Sequence, residues 1–458
     1  MLIAISIIAF IYPFYNFGFF VTDRFISFPD LGAVLVDLYF IFLLIRKDIK
    51  LKAADFNWSL AYFIFVVFLI LGMLISPYRY LVFQKGSIQI ISIVVMLVFC
   101  IFFVSISRIK SAFIIRFIKV LNIGLGCYAL IAILQFIFWD LLGATQVLNF
   151  EGFCKCWRWG GMEPLNEFHR VRSLASEPTH YALILGIGIG SALLRLGILG
   201  RRVSYKIKNI MPLWAALSII ISLCLTLSIN AYLLLILIGL SFLSILTAKI
   251  NLKIVLSIFS ICCMLVFAII SNMDSIFSKK VGSIKYILYP ELLIKESDFD
   301  IRSGLSALTM IVNYKVAKNN LNNNYLFGGG VGSHPKAYEK YVSKTEYMRS
   351  DIWYGLNKDD AASLSLRLLS ETGLIGLGLF LFASGLIIFR SINFLKKSTL
   401  ITEKNILALS MVCSFIGIQI MYLIRVGHYY DLSYWLLVAL VVSTVNMSQQ
   451  EISFVEKH

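Results

Sequence analysis

Charged residues are scarce in this chain. Only 14% of its 458 residues are Asp, Glu, Lys or Arg, about half the share of a typical soluble domain, whereas 59% are apolar. A soluble fold could not hide that much apolar surface from water, so the lipid bilayer must be the solvent. The net charge of +16 therefore does not indicate nucleic acid, because short loops beside membrane spans normally collect Lys and Arg.

Several patterns of soluble enzymes are also missing. Six of the 8 cysteines lie in apolar stretches, where cysteine behaves as a small hydrophobe. Cys154 and Cys156 lie together in a loop, and no second Cys or His pair has the spacing of metal ligands. No Walker motif and no Ser-His-Asp nucleophile signature occurs. Residues 1–20 have neither a charged start nor an A-x-A cleavage site, so they read as a first span. We therefore expect no metal and no cofactor.

Runs of about 20 apolar residues predict an all-α, polytopic membrane protein of about twelve transmembrane helices. The whole chain, residues 1–458, forms one integral membrane domain in this interpretation. The predicted spans lie near 1–20, 31–45, 59–76, 87–106, 113–137, 180–196, 212–227, 229–247, 253–271, 365–390, 405–424 and 431–446.

The basic loops give this arrangement an orientation. In a twelve-span chain, all of them fall on one side, which the positive-inside rule identifies as the cytoplasm. Both termini are then cytoplasmic. These loops are 46–52, 108–110, 195–208, 249–253 and 390–404. Two long loops, about 139–179 and about 271–364, fall on the outer side, and loops of this length are usually functional.

The first outer loop ends in a dense polar cluster that leads into the span at 180–196. Arg170 and Arg172 suit a phosphate group, because a guanidinium binds phosphate with two hydrogen bonds. Glu177 precedes Pro178 at the positive end of a predicted helix, and it is a candidate general base. His180 follows as a candidate substrate contact. The alternative is a solvated loop edge whose arginines snorkel towards water.

The second outer loop carries Arg302 as a candidate phosphate ligand, on a segment with helical spacing of apolar residues. It also carries the run Phe327–His334, in which Gly330 and Gly332 could let backbone N–H groups form an anion nest. His334 is a further candidate substrate contact. The alternatives are a flexible turn and a solvated surface charge.

Two pairs of charged residues stand near the end of this loop. Asp359 and Asp360 could hold a divalent metal, bind substrate or supply a base, although adjacent carboxylates before a helix more often cap it. Arg367 and Glu371 are four residues apart on one predicted helix face, and we expect them to pair and to lower each other's cost of burial.

Three segments together resemble the bacterial O-antigen polymerase and ligase superfamily, the Wzy and WaaL proteins. Arg172–Pro178 resembles the Arg…Glu-Pro segment of Wzy-type polymerases. Tyr325–Gly332 resembles the Gly-x-Gly turn of their large periplasmic loop, and Leu368–Gly376 resembles the stretch L-x-E-x-G-L-I-G that opens the next helix. These three segments cover 24 residues, and the order of spans and loops resembles the family over most of the chain.

One departure bears on the choice within this superfamily. Ligases carry a histidine, commonly His-Asn, about nine residues before the glutamate that matches Glu371. This chain has Ala362 and Ser363 there. The proposed catalytic histidine of a ligase is therefore absent, which favours a polymerase.

The resemblance implies a GT-C-like glycosyltransferase in the bacterial inner membrane, with two long periplasmic loops and a role in lipopolysaccharide and surface polysaccharide biosynthesis. It would transfer a glycan from undecaprenyl pyrophosphate to a lipid-linked repeat unit. Glu177 would be the base, with Asp359 or Asp360 as rivals, while Arg172 and Arg302, assisted by Arg170, would bind the pyrophosphate. The implied partners are a Wzz-type chain-length regulator and a Wzx-type flippase. The alternatives are an O-antigen ligase and a lipid-linked oligosaccharide flippase.

Overall fold

In this computed structural model, the described part of the chain is helical apart from loops and one short β-hairpin. The structure describes residues 2–14, 18–21, 24–52, 55–144, 173, 175, 178–226, 228–246, 301–324, 326–342, 357–398, 402–425 and 427–455. The predicted span at 253–271 therefore lies outside the described residues.

Fourteen helices make up the described part of the chain. They are α1 (Leu2–Ile11), α2 (Phe28–Ile45), α3 (Leu60–Ile75), α4 (Arg79–Ile109), α5 (Ser111–Phe136), α6 (Pro178–Arg195), α7 (Arg201–Lys206), α8 (Leu213–Leu225), α9 (Ile229–Leu246), α10 (Ile301–Asn323), α11 (His334–Tyr341), α12 (Leu364–Lys397), α13 (Glu403–Ile424) and α14 (Leu432–Val455). A 3₁₀ turn, Tyr12–Phe14, follows α1, and a π-helical turn, Ile137–Leu141, extends α5.

Six helices among the described residues are long and apolar enough to cross a membrane, namely α2, α4, α5, α12, α13 and α14. The shorter apolar helices α3, α6, α8 and α9 also coincide with predicted spans. The described part of the chain is thus mainly helical, with several helices that can span a membrane. The prediction of a polytopic helical membrane protein is confirmed at this level.

The first predicted span has a different structure. Helix α1 stops at Ile11, and β1 (Gly18–Val21) pairs antiparallel with β2 (Arg24–Ser27). Pro13 explains the early end of the helix, because proline has no N–H to donate and its ring clashes with the preceding turn. The prediction of one continuous helix over residues 1–20 is therefore wrong.

Helices α13 and α14 form the centre of the bundle. Helix α14 packs against α4 and α13, and α13 packs in turn against α6 and α9. Trp435, near the start of α14, is fully buried, and its indole N–H donates to the carbonyl of Tyr429 at 3.0 Å. This tryptophan therefore belongs to the core of the bundle.

The bundle has two ends that the contacts distinguish. We call one the site end, where α3, α5 and α13 finish and α4, α6, α12 and α14 begin. At the opposite end, Arg108 Nη2 lies 2.7 Å from Asp55 Oδ2, and Arg390 Nη1 donates to the carbonyl of Asn57 at 3.4 Å. These bonds bring the basic loops after α2, α4 and α12 together at the opposite end.

Candidate functional site

A buried ion pair lies in the first turns of α12. Arg367 Nε is 3.3 Å from Glu371 Oε1, and the two side chains are only 2% and 0% exposed. The expectation that these residues pair is confirmed. A charge held this deep needs its partner, because an uncompensated buried ion costs several kcal/mol.

The loop between α13 and α14 encloses this pair. The Tyr429 hydroxyl donates to Glu371 Oε2 at 2.5 Å, and the rings of Tyr429 and Tyr430 have their centroids 5.5 and 5.2 Å from the Arg367 guanidinium carbon. Arg367 Nη1 also donates to His428 Nδ1. Because arginine offers only donors, His428 Nδ1 must be unprotonated, so the ring proton of the neutral histidine sits on Nε2.

Sequence reasoning missed His428, Tyr429 and Tyr430 as members of the site. The signal was present, since these three ring side chains stand together beside Asp431 in a short connection between two apolar spans. Polar groups at a membrane boundary that face the bundle are expensive and often functional.

Gln89 on α4 extends the network. The Tyr429 hydroxyl lies 2.6 Å from Gln89 Oε1 and 2.5 Å from Glu371 Oε2. One hydroxyl proton serves one acceptor, so when Tyr429 donates to the carboxylate, the Gln89 amide must turn its nitrogen towards the hydroxyl. Tyr429 thereby connects the ion pair to α4.

The glycine-rich turn packs directly on the start of α12. Gly329 N donates to the carbonyl of Ser370 at 2.9 Å, and Gly330 N donates to that of Glu371 at 2.8 Å. Helix α12 is interrupted at Gly373, which has φ 65° and ψ −164°. A Cβ atom on Gly328 would lie 2.6 Å from the carbonyl carbon of Glu371. The glycines permit close backbone approach between two segments far apart in sequence.

This packing corrects the expectation that Gly330 takes part in an anion nest. The N–H groups of Gly329 and Gly330 already bind carbonyls of α12, so Gly330 does not offer its N–H to a substrate. The carbonyl of Gly329 is also occupied, because it accepts a hydrogen bond from the Ser76 hydroxyl at 2.5 Å.

His334 is buried beneath the same turn. Its Nε2 lies 3.0 Å from Asn313 Oδ1 and its Nδ1 lies 3.0 Å from Ser370 Oγ. Burial, with a smaller contribution from the charge of Arg367, lowers the pKa of His334 to about 3, so the ring is neutral. Nε2 must then donate to the Asn313 oxygen while Nδ1 accepts from Ser370. The structure therefore places His334 in a packing role, away from the surface where we expected it to touch substrate.

An open cleft of about 260 Å³ lies at the site end beside the ion pair. Arg367 lines it together with Lys85, which lies in the first turns of α4. Of the predicted residues, Gly332 and Asp359 also line it. Its full lining is Lys85, Ile88, Gln89, Ser92, Gly332, Pro335, Asp359, Arg367 and Tyr430. The cleft is thus lined by two cations, each paired with a carboxylate, and by several neutral polar groups.

The two neighbouring aspartates have different positions. Asp359 Oδ1 lies 3.4 Å from Lys85 Nζ in an exposed ion pair at the cleft. Asp360 Oδ1 accepts hydrogen bonds from Asn357 Nδ2 at 2.7 Å and from the amide of Ala362 at 3.0 Å. The first carboxylate can therefore meet a ligand, whereas the second holds the turn before α12 together.

That turn carries unusual backbone strain. Asn357, Ala361 and Ala362 have φ values of 51°, 58° and 63°. These values lie in the left-handed region of backbone conformation, which residues other than glycine rarely adopt. Such strain persists only where surrounding contacts enforce it, and it concentrates at functional sites. Ser363 then caps α12, and its hydroxyl accepts from the Leu366 amide at 3.3 Å.

The predicted residues of the first outer loop are mostly beyond what the structure describes. Arg170, Arg172 and Glu177 lie outside the described residues, and Arg302 is placed on α10 without a described side chain.

The described neighbours of that loop nevertheless lie at the site end. Ser173 Oγ donates to the carbonyl of Tyr128 at 2.9 Å, and Gln135 Nε2 donates to the carbonyl of Ser173 at 3.0 Å. His180, half-buried in the first turn of α6, interacts electrostatically with Asp431. Burial raises the pKa of Asp431, while its Ser433 and Tyr422 hydrogen bonds and the His180 charge oppose that rise. The start of α6 therefore adjoins the loop that contains His428 and Tyr429.

No cluster of three or more His, Cys, Asp or Glu suited to a metal occurs in the described part of the chain. No protein-family model matches this chain, and no curated protein matches it significantly.

Proposed function

We propose that this chain is a Wzy-type O-antigen polymerase. In this proposal it has about twelve spans in a GT-C-like fold, lies in the bacterial inner membrane with both termini in the cytoplasm, and works at the periplasmic face. Its donor is a glycan on undecaprenyl pyrophosphate, and its acceptor is a lipid-linked repeat unit. A Wzx-type flippase would supply the repeat units, and a Wzz-type regulator would set polymer length.

The observation that carries the proposal is the cleft that Lys85 and Arg367 line together. A pyrophosphate carries several negative charges, and a buried guanidinium beside an ammonium matches such a group. The cleft lies where α4 and α12 begin, so a lipid tail bound there could remain among the apolar helices while its headgroup meets the cations.

The reaction in this proposal is a glycosyl transfer without a metal. A carboxylate base takes the proton of the acceptor hydroxyl, the oxygen attacks the anomeric carbon, and the bond to the pyrophosphate oxygen breaks. Positive charge on the departing pyrophosphate lowers the barrier, because negative charge accumulates there as the bond breaks. We assign that charge to Arg172 and Arg302, with Arg170 assisting, and add Arg367 and Lys85 from the cleft.

Glu177 remains our choice for the base. Asp359 is its remaining rival, since it lines the cleft and is exposed. Asp360 is less suited, because its Oδ1 accepts two hydrogen bonds within its own turn.

Deletion of the gene, followed by analysis of the surface glycan, tests this proposal against its rivals. A polymerase deletion leaves lipid A core capped with a single repeat unit. Loss of a ligase leaves lipid-linked polymer unattached, and loss of a flippase traps single repeats on the cytoplasmic side. The variants Glu177→Gln and Arg172→Ala, expressed at wild-type levels, should reproduce the deletion. Glu339→Gln is the matched control, because Glu339 pairs with Lys336 and Lys358 and does not line the cleft.

A further inference from the structure

A basic surface lies at the opposite end of the bundle, on segments of the chain that contain no carboxylate. Residues 178–246 contain no Asp or Glu, and neither does α5. This part of the chain includes the connection from α6 to α8, where arginines and lysines concentrate. Its cations are Arg195, Arg201, Arg202, Lys206 and Lys208.

The connection is held rigidly against the bundle. Arg195 Nη1 donates to Ser204 Oγ at 2.9 Å, and that hydroxyl donates back to the Arg195 carbonyl at 2.5 Å. Ile207, Ile210 and Met211 are buried at 0 to 1% exposure. The segment therefore has a fixed place, and its cations do not sit on a loose linker.

The chain makes a tight turn between α6 and α7. Gly197 and Gly200 have φ values of 93° and 90°, a region open to glycine but strained for other residues. This turn and the Ser204 bonds leave Arg201, Arg202 and Lys208 exposed, on the side of the segment away from Ile207.

A second element brings further positive charge to this surface. Asn122 of α5 donates from Nδ2 to the Ile210 carbonyl at 3.4 Å, which joins α5 to the connection. Arg116 and Lys119 are exposed on α5, within two turns of Asn122 towards the start of the helix. Both therefore lie towards the same end of the bundle as the α6–α8 connection.

Exposed apolar groups place this surface at the edge of the membrane. Leu213 and Trp214 begin the apolar helix α8 and are 46% and 43% exposed. Lys208 Nζ sits 3.7 Å from the centroid of the Tyr205 ring, itself exposed. Interfacial aromatics beside a row of cations are the usual arrangement at the level of lipid headgroups.

We propose that this surface, formed by Arg116, Lys119, Arg201, Arg202 and Lys208, is a binding site for the headgroup of an anionic phospholipid. The negative phosphate would lie among the cations, and the acyl chains would run along the exposed faces of α5 and α8. A lipid fits better than a free anion, because Leu213 and Trp214 offer apolar contact beside the charges. The site is remote from the cleft and does not depend on the proposed function.

The test uses the full chain purified in a mild detergent. Binding of phosphatidylglycerol is followed by native mass spectrometry and by the shift in apparent unfolding temperature, with phosphatidylethanolamine and inorganic phosphate as separate arms. The variant Arg201→Gln/Arg202→Gln/Lys208→Gln should bind phosphatidylglycerol at least tenfold more weakly, since each cation near a membrane surface contributes about fivefold.

The matched control is Lys47→Gln/Lys50→Gln/Lys52→Gln. It removes the same charge from another basic loop at the same end of the bundle, where Arg46 pairs with Asp48 and Asp55 supplies a second carboxylate. The proposal expects this control to retain phosphatidylglycerol binding. The proposal would be overturned if both triple variants lost phosphatidylglycerol binding equally, or if the first variant bound the lipid as well as the wild type. It would also be overturned if inorganic phosphate raised the unfolding temperature as much as the lipid.

Discussion

The amide of Gly330 donates a hydrogen bond to the carbonyl of Glu371, 2.8 Å away. That bond ties the glycine-rich turn to the helix whose arginine lines the cleft. The geometry of the cleft therefore depends on backbone packing as well as on the charged side chains.

Replacing Gly328 with alanine should disrupt this packing. The residue has φ 65°, and an added Cβ atom would lie 2.6 Å from the backbone of Glu371. Because that atom belongs to the backbone, neither segment can move easily to relieve the overlap. We expect a loss of about 2 to 4 kcal/mol in stability, from strain together with steric overlap. The apparent unfolding temperature of the purified protein measures it.

Gly385→Ala is the control for that substitution. Gly385 lies within α12, the helix against which the turn packs, and it needs no positive φ. A Cβ atom added to it would meet no neighbouring atom within 4 Å. Alanine there should leave the unfolding temperature unchanged or slightly higher. Equal destabilisation by the two substitutions would contradict the packing role of the turn.

The Tyr429–Glu371 hydrogen bond should contribute more to stability than the hydroxyl of the neighbouring Tyr430. Tyr429→Phe leaves a buried carboxylate oxygen without its donor, which costs about 1 to 3 kcal/mol. Tyr430→Phe should cost little, because Tyr430 meets Arg367 through its ring face, which phenylalanine keeps. Thermal unfolding of both variants, completed by a double-mutant cycle of Tyr429→Phe with Glu371→Gln, measures the coupling. Additive effects in that cycle would argue against a direct bond.

Acid should weaken the protein through His334. Its pKa is about 3 in the folded protein and about 6.5 when unfolded, so the unfolded chain binds the extra proton between these values. The contribution of His334 is complete above pH 6.5 and is lost by roughly 1.4 kcal/mol per pH unit as the pH falls towards 3. Unfolding temperatures measured from about pH 7 to about pH 4 should fall less steeply for His334→Gln, and parallel profiles would contradict the assignment.

The two candidate assignments of the base, Glu177 and Asp359, predict opposite effects of mutation. If Glu177 is the base, Asp359→Asn keeps polymer synthesis, because it removes only an exposed ion pair that contributes at most about 1 kcal/mol. Glu177→Gln should then abolish polymer. Gel analysis of the surface glycan from strains expressing each variant decides between them, and the reverse result would assign the base to Asp359.

Much of the helical framework could be predicted, because apolar runs report directly on burial in lipid. The Arg367–Glu371 pair was predictable for the same local reason, since residues four apart share a helix face. Residues 1–20 were misread because hydropathy does not register the hydrogen bond that Pro13 lacks.

The environment of the pair could not be predicted. His428 and Tyr429 come from a different connection, and nothing in local sequence specifies which loop closes over α12. The role of the glycine-rich turn could not be predicted either, because it depends on which part of the chain packs against the turn. An anion nest and a close backbone contact require the same residue type, and only the position of Ser370 and Glu371 distinguishes them.

Polymer synthesis by the purified protein tests the central claim most directly. The full chain, reconstituted in liposomes with an undecaprenyl-pyrophosphate-linked repeat unit, should form a ladder of longer glycans and release undecaprenyl pyrophosphate. Lys85→Gln should slow this at least tenfold while Glu339→Gln does not. Absence of any ladder from folded wild-type protein supplied with its own strain's repeat unit would contradict the account, as would an undiminished rate in Lys85→Gln.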